Sequence, residues 1–500
     1  LKLGDEVIGR YNSYDTWTTA RLAQHLLGQL ESHHQLPFYK AEIEPVIPAI
    51  LALGRHGLLI DQGERTRLRR SFRAEVHTQD QLLATAAGHP YTDPYEKPPK
   101  VWFNPNSDTQ VRRWLFGGDK TTAPSGAAVL VAKGVEVQCL GLKPAGKTEG
   151  GQWSVDLTNL VRVVRDLRKG DEPVRPILYA LCHRTRYVKL DEYLDFDIDS
   201  DGRVRPTWKL HGTKSFRLAV ANPPIHSWAE ELRSMVVAAP GYVLVKADLM
   251  AVEARMAAYL SDDKLDIAVY ERSTVDRPYK HHPGWDIHSA LVLECFPELT
   301  EPLWAGMTNQ QREPYRNTAK TIRFGTLLYG GAPETAQTKV FCPCPLCADK
   351  TPPTIDLTPT RKRAIVDRWM SRHQAFVRWR SNLLRPFEGP HATYCLRMPI
   401  AGWPVWFFQP MGGELQRELF NRPIQMAANL LKLRALRRLH AKGMPILIDH
   451  HDALVAEVPL SCENWAKSTF VECMTQPVEE LGGVRFPVDV ASGPTWADLH

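Results

Sequence analysis

VVAAPGYVLVKADL, Val236 to Leu249, is apolar at nearly every position, with Pro240-Gly241 as a turn signal. It predicts a short β-rich unit in which Tyr242 to Ala247 form a buried strand, followed by Asp248 and then a helix. A second stretch, MPILIDHHDALVAEVP from Met444 to Pro459, predicts a hairpin of two apolar strands around His450-His451-Asp452. A carboxylate at each of two rigid strand ends can share a pair of divalent ions. Such a pair activates an attacking hydroxyl and stabilises the leaving group of an in-line displacement. Taken singly, each Asp is better read as a cap on its own turn or helix.

Outward from these two stretches the chain is mostly helical. Apolar spacings of three and four predict helices over 14–35 and 44–56, a basic helix over 315–325 and a long helix over 414–441. His89 to Pro105 and the segment GLKPAGKTEGGQW from Gly141 read as loops. Residues 338–360, rich in Cys, Pro and Thr, read as an inserted loop. Helical blocks around a small β unit predict an α+β fold of several subdomains.

The chain of 500 residues is long enough for several such units, and its net charge of +6 suits a polyanionic partner. No apolar run is long enough to span a bilayer, and no secretory signal pattern opens the chain. The first residue is Leu1, so the chain reads as a fragment of something longer. Nine scattered cysteines argue against a secreted disulfide framework and for a reducing cytosol. Cys342, Cys344 and Cys347 in FCPCPLC could hold a structural Zn²⁺ with one further ligand, or simply belong to a cysteine-containing insert.

Two helices carry polar side chains at four-residue spacing. Arg316, Lys320 and Phe324 share one face, where two cations suit a triphosphate and an aromatic can stack on a base. Arg417, Asn421 and Gln425 repeat the spacing. Without further context, both sets read as ordinary solvated faces.

Neighbouring residues supply that context. KADLMAVEARMAAYLSDD, with Asp248, Glu253 and Arg255, resembles the first polymerase motif of family A DNA polymerases. RNTAKTIRFGTLLYGG, with Arg316, Lys320, Phe324 and Gly325, resembles the second, and His451-Asp452 the third. Supporting segments run along the chain in order: FNPNSDTQVRRWLF, KSFRLAVANPP with Arg217, Asp286-Ile287-His288, RELFNRPIQMAANLLK and FPVDVASGPTWADLH. Tyr11 and Asp15 resemble the last motif of the family's proofreading exonuclease, a remnant too short to proofread.

The resemblance implies a right-hand polymerase fold. It divides the chain into an exonuclease-like remnant (1–40), thumb and palm-entry helices (41–215), palm (216–262), fingers with the cysteine insertion (263–394) and palm again (395–500). It implies a primer-extending DNA polymerase using deoxynucleoside triphosphates in replication or repair. Two Mg²⁺ ions are held by Asp248, Asp452 and the Leu249 carbonyl. Arg316, Lys320 and His288 take the triphosphate, and Phe324 and Tyr329 form the base platform. Glu253 is the gate against a ribose 2′-hydroxyl. Arg217, Arg417, Asn421, Gln425 and His451 contact primer–template DNA. The expected protein is a monomer in the cytoplasm, at the nucleoid, without a membrane partner. A single-subunit RNA polymerase and a catalytically dead DNA-binding protein are the rival readings. Glu253 with the Arg417 set argues against the first, and both aspartates with Lys320 against the second.

Three departures stand out. The family's Glu after His-Asp is Ala453, its Gln before the gate Glu is Ala251, and an extra residue separates Gly325 from Tyr329. In a regular helix that residue turns Tyr329 about 100° away from Phe324. Either Leu328 then takes the aromatic's place, or a π-type bulge restores Tyr329, the outcome expected here.

Overall fold

The computed structural model describes residues 5–89, 103–167, 171–272, 282–333, 354–355, 357–389 and 392–499. Its centre is a four-stranded antiparallel sheet. The strands are β1 (Tyr242–Leu249), β2 (Ile446–His450), β3 (Ala453–Pro459) and β4 (Val488–Gly493), in the spatial order β2-β3-β1-β4. Period-two alternation gives the sheet two unlike faces. Val243, Val245, Ala247 and Leu249 of β1 enter the largest apolar core, with Leu454, Ala456 and Val458 of β3. On the other face Leu244 and Val455 pack with Leu232, Val236 and Trp496, and Lys246 Nζ donates to the Leu499 carbonyl at 2.9 Å. Asp248 lies on this second face, inside β1 as its penultimate residue; the strand runs two residues beyond the predicted end.

Helices surround the sheet in three groups. The first comprises α1 (Asp5–Ser32), α2 (Gln62–Ala86) and α3 (Arg175–Glu192). The pair α2 and α3 pack together, tied by a fully buried Arg184–Asp80 ion pair. Beyond them Leu83, Trp114, Phe116, Val137, Leu160 and Leu181 share a separate core with a small hairpin, Ala128–Ala132 and Val135–Gln138. The second group lies after β1: α4 (Val252–Ser261), α5 (Ile287–Cys295), α6 (Asn309–Ile322) and α7 (Gln374–Leu384). The last is α8 (Gly413–Ala441), matching the predicted 414–441.

The first expected boundary, at 40, falls within a stretch that packs on the sheet's core. Phe38, assigned to the N-terminal remnant, is buried in the sheet's core and rests on Phe216 and Trp403, with ring centroids 5.6 and 4.2 Å away. Val46, Ile50 and Leu53 join it there. Burial of these side chains binds residues on both sides of that boundary to the central sheet's core. Residues 90–102 of the predicted first loop and most of the predicted insert lie outside the described residues, Cys342, Cys344 and Cys347 among them. No helix among the described residues is long and apolar enough to cross a membrane.

Candidate active site

Strand pairing brings the two aspartates together. Asp248 in β1 stands opposite Ala453, the first residue of β3. His450 pairs with Ala453, so His451 and Asp452 form a two-residue turn. His451 sits at φ 54°, in the left-handed region that lets so short a turn close. The Leu249 amide donates to the Asp452 carbonyl at 3.1 Å, locking the turn to the end of β1.

The turn is also held from below. Lys432 of α8 pairs with Asp449 at 2.7 Å and donates to the His451 carbonyl. His226 reaches the Asp449 carbonyl and stacks near His451, with ring centroids 6.4 Å apart. Burial pushes the His450 imidazole down to about 3, helped by His451 beside it. Neither Lys432, Asp449 nor His226 is legible as a site residue in the sequence, because nothing in their local spacing sets them apart.

Electrostatics mark the aspartates as strained. Burial pushes the Asp248 carboxyl up to about 6, with Asp452 and Asp489 adding to the rise and Lys246 and Lys432 opposing it. Asp452 is raised by burial too, against Arg217, Lys432 and Lys320. Asp489 of β4 stands opposite Asp248 on the other side. The row Ala453–Asp248–Asp489 therefore shares one face, and Asp489 is a carboxylate that motif reading overlooked.

Glu253, the second residue of α4, is buried and pushed up to about 7, chiefly by desolvation. Its partner is Arg217, whose guanidinium also lies 3.9 Å from Asp452. The candidate gate and the candidate metal site thus share one cation. Arg255 is structural: it is buried and donates to the Met250 carbonyl at 2.9 Å. Ala251, at φ 50°, caps α4 where the family pattern has Gln.

On α6, Lys320 is exposed and close enough to act on Asp452. Arg316 is buried, its Nε 2.6 Å from the wholly buried Asp286. The guanidinium expected at a triphosphate is thus anchored at its base by a carboxylate. His288 is buried, kept neutral by desolvation, and its ring lies 5.6 Å from Phe324, with Nδ1 lacking a partner among the described residues.

The extra residue after Gly325 is absorbed by a π-helical turn over Arg323–Leu328. Leu328 is buried in the main core, and the Tyr329 ring returns to 6.0 Å from Phe324. Gly331 N donates to the Gly325 carbonyl at 3.0 Å, closing the widened turn. Gly330, at φ 70°, passes so close to Phe420 that a Cβ there would lie 2.7 Å from Cδ2. On α8, Arg417 is exposed, while Asn421 and Gln425 are partly buried. Asn421 Oδ1 has no partner among the described residues.

The donor set at the sheet edge fits Mg²⁺. Two carboxylates burdened by burial offer oxygen ligands only, and Mg²⁺ is commonly held by one or two carboxylates plus substrate phosphates. Among the described residues no three His, Cys, Asp or Glu side chains gather into a ready-made metal cage. The zinc expectation falls on cysteines outside the described residues.

The chain is similar to known proteins of one kind. Residues 95–343 match the family model described as DNA polymerase family A. DNA polymerase I of Chloroflexus aurantiacus is 24% identical, over 98% of this chain and 46% of its own length. The thermostable DNA polymerase I of Thermus aquaticus is 25% identical, over 88% of this chain and 46% of its own. The DNA polymerase of Escherichia phage T5 is 25% identical over 66% and 35%. This chain therefore spans about half the length of the first two relatives or less. A solved structure, the POL domain of Pol1 from M. smegmatis in complex with DNA primer-template and dNTP, superposes with a TM-score of 0.72. It is 17% identical and covers 96% of this chain and 74% of that one, a likeness of fold.

Proposed function

We propose that the chain is a DNA polymerase of family A, whose model it matches over residues 95–343, and that it extends a primer 3′-hydroxyl on a DNA template with deoxynucleoside triphosphates, releasing pyrophosphate. The observation that carries this reading is the bond from the Leu249 amide to the Asp452 carbonyl. It sets two burial-strained carboxylates side by side at the ends of the two inner strands, within electrostatic reach of Lys320.

Asp248 and Asp452, with the Leu249 carbonyl, are the groups to hold Mg²⁺, which when bound supplies activation of the attacking hydroxyl and charge stabilisation at the phosphate. The protein's own share is positioning and charge. Lys320 presents a point charge to the triphosphate. Arg316, braced by Asp286, offers its remaining donors in a fixed direction, and His288 stays neutral beside Phe324. Phe324 and Tyr329 form the base platform that the π turn restores. Glu253, held by Arg217, stands as the sugar gate. Arg417, Asn421, Gln425 and His451 face the primer–template, where the minor groove offers acceptors common to all base pairs. Thumb, palm and fingers take the sequence divisions, with Phe38, Val46, Ile50 and Leu53 packed against the palm core.

Primer extension with deoxy- and ribonucleotides compared side by side tests the proposal. Extension with deoxynucleotides favoured is the expected result. Ribonucleotide preference would support the RNA polymerase rival, and tight DNA binding without extension the inactive binder.

A further inference from the structure

Arg380, on α7, is a cation without a counter-ion. Its guanidinium lies 3.8 Å from the centroid of the Phe420 ring, and Nη1 donates weakly to the Leu327 carbonyl at 3.4 Å. No carboxylate among the described residues pairs with it, and burial alone lowers its pKa to about 10, so it stays charged at neutral pH. A desolvated charge of this kind is costly unless an anion meets it.

The surroundings indicate where that anion comes from. Nη2 lies 3.0 Å from the place where a Cβ on Gly330 would stand, so the guanidinium borders the turn just after Tyr329. Phe420, the ring beneath it, precedes Asn421, whose Oδ1 lacks a partner among the described residues. Arg380 therefore adjoins the end of the nucleotide-binding helix and the α8 face offered to DNA. Lys320 and Arg316 lie more than two helical turns back along α6, on the triphosphate side.

We infer that Arg380 is a phosphate-binding point whose occupant is a phosphodiester of the template strand as it passes Gly330 and α8. A guanidinium stacked on a ring keeps its in-plane donors available, which suits a planar fork to phosphate oxygens. This inference rests on the polymerase reading. The other source of the same chemistry is the incoming triphosphate. A purely structural role, pinning Phe420 by a cation–π contact, predicts no anion at all.

The test measures primer–template affinity of the whole chain against salt concentration. Arg380→Gln is expected to reduce the slope of log affinity on log salt by about one, the signature of one lost phosphate contact, while Arg380→Lys keeps it. Neutral methylphosphonate linkages, scanned singly along the template, should weaken wild type at one position, and that position should be silent in Arg380→Gln. The KM for deoxynucleotide should not change. An unchanged slope in Arg380→Gln overturns the inference and leaves the structural pin. A raised nucleotide KM with an unchanged slope overturns it in favour of the triphosphate. A wild-type chain that neither binds nor extends primer–template removes the polymerase reading itself.

Discussion

Lys432 and Asp449 form an ion pair 2.7 Å apart, their side chains 2% and 1% exposed, directly beneath the turn that carries Asp452. Such a pair is seldom a net source of stability, but breaking it leaves a buried charge alone. Lys432→Met should therefore destabilise the protein by about 3–5 kcal/mol. The double variant Lys432→Met/Asp449→Leu should recover most of that loss in thermal or urea unfolding. Its extension rate should stay low, because the His451 carbonyl no longer has its donor. Full activity in the double variant would show that the turn needs no support from α8.

Asp248→Ala and Asp452→Ala should each abolish extension while leaving primer–template affinity nearly unchanged. DNA affinity rests mainly on phosphate contacts by many basic groups, and neither aspartate makes one. Gel-shift and extension assays on the same preparations check both halves. Near wild-type extension by either variant would remove the metal assignment.

Glu253→Ala should raise ribonucleotide incorporation by about 10- to 100-fold relative to deoxynucleotide. The removed carboxylate also frees Arg217 to turn fully toward Asp452, 3.9 Å away. The deoxynucleotide rate should therefore fall as well. Unchanged sugar discrimination would exclude Glu253 as the gate.

The π turn separates two neighbours that a helix drawn from sequence would confuse. Tyr329→Ala should raise the nucleotide KM, since loss of one base–aromatic contact is worth about 1–3 kcal/mol. Leu328→Ala should leave KM close to wild type and cost about 2–5 kcal/mol of stability, because Leu328 is buried in the core. The opposite pattern would place Leu328, not Tyr329, at the nucleotide.

Asp248 and Glu253 titrate near 6 and near 7 in the folded chain, both raised mainly by burial. A carboxyl raised on folding binds more protons in the native than in the unfolded state. Its favourable contribution is whole below the unfolded value and is lost as pH climbs through the folded one. His226, His288 and His450, all lowered by burial, pull the other way, so the carboxyls are read by difference: without divalent ions, the Tm of Asp248→Asn or Glu253→Gln relative to wild type should rise between about pH 4 and pH 7. Mg²⁺ affinity should run the other way, rising over the same window as the carboxyls ionise. A difference from wild type that stayed flat over that window would contradict the raised carboxyls.

Much of the site was legible in the linear chain. Alternation in YVLVKADL and ILIDHHDALVAEV marks strands, and four-residue spacing aligns Arg316, Lys320 and Phe324, because these patterns are set by backbone geometry within a few residues. Even the irregularity after Gly325 could be anticipated, since one added residue must be absorbed locally.

What only the tertiary structure decided are pairings between distant segments. The Leu249–Asp452 link, Arg217 shared between Glu253 and Asp452, Arg316 anchored on Asp286, and Lys432 beneath the His451-Asp452 turn all join residues from separate elements. Asp489 stands beside Asp248 only because β4 adds to the sheet next to β1. Periodicity tells which face of an element is buried; it carries no record of what lies opposite. That choice is made by strand register and helix packing, where the burial of apolar faces selects the partner and the charged groups must then find one another.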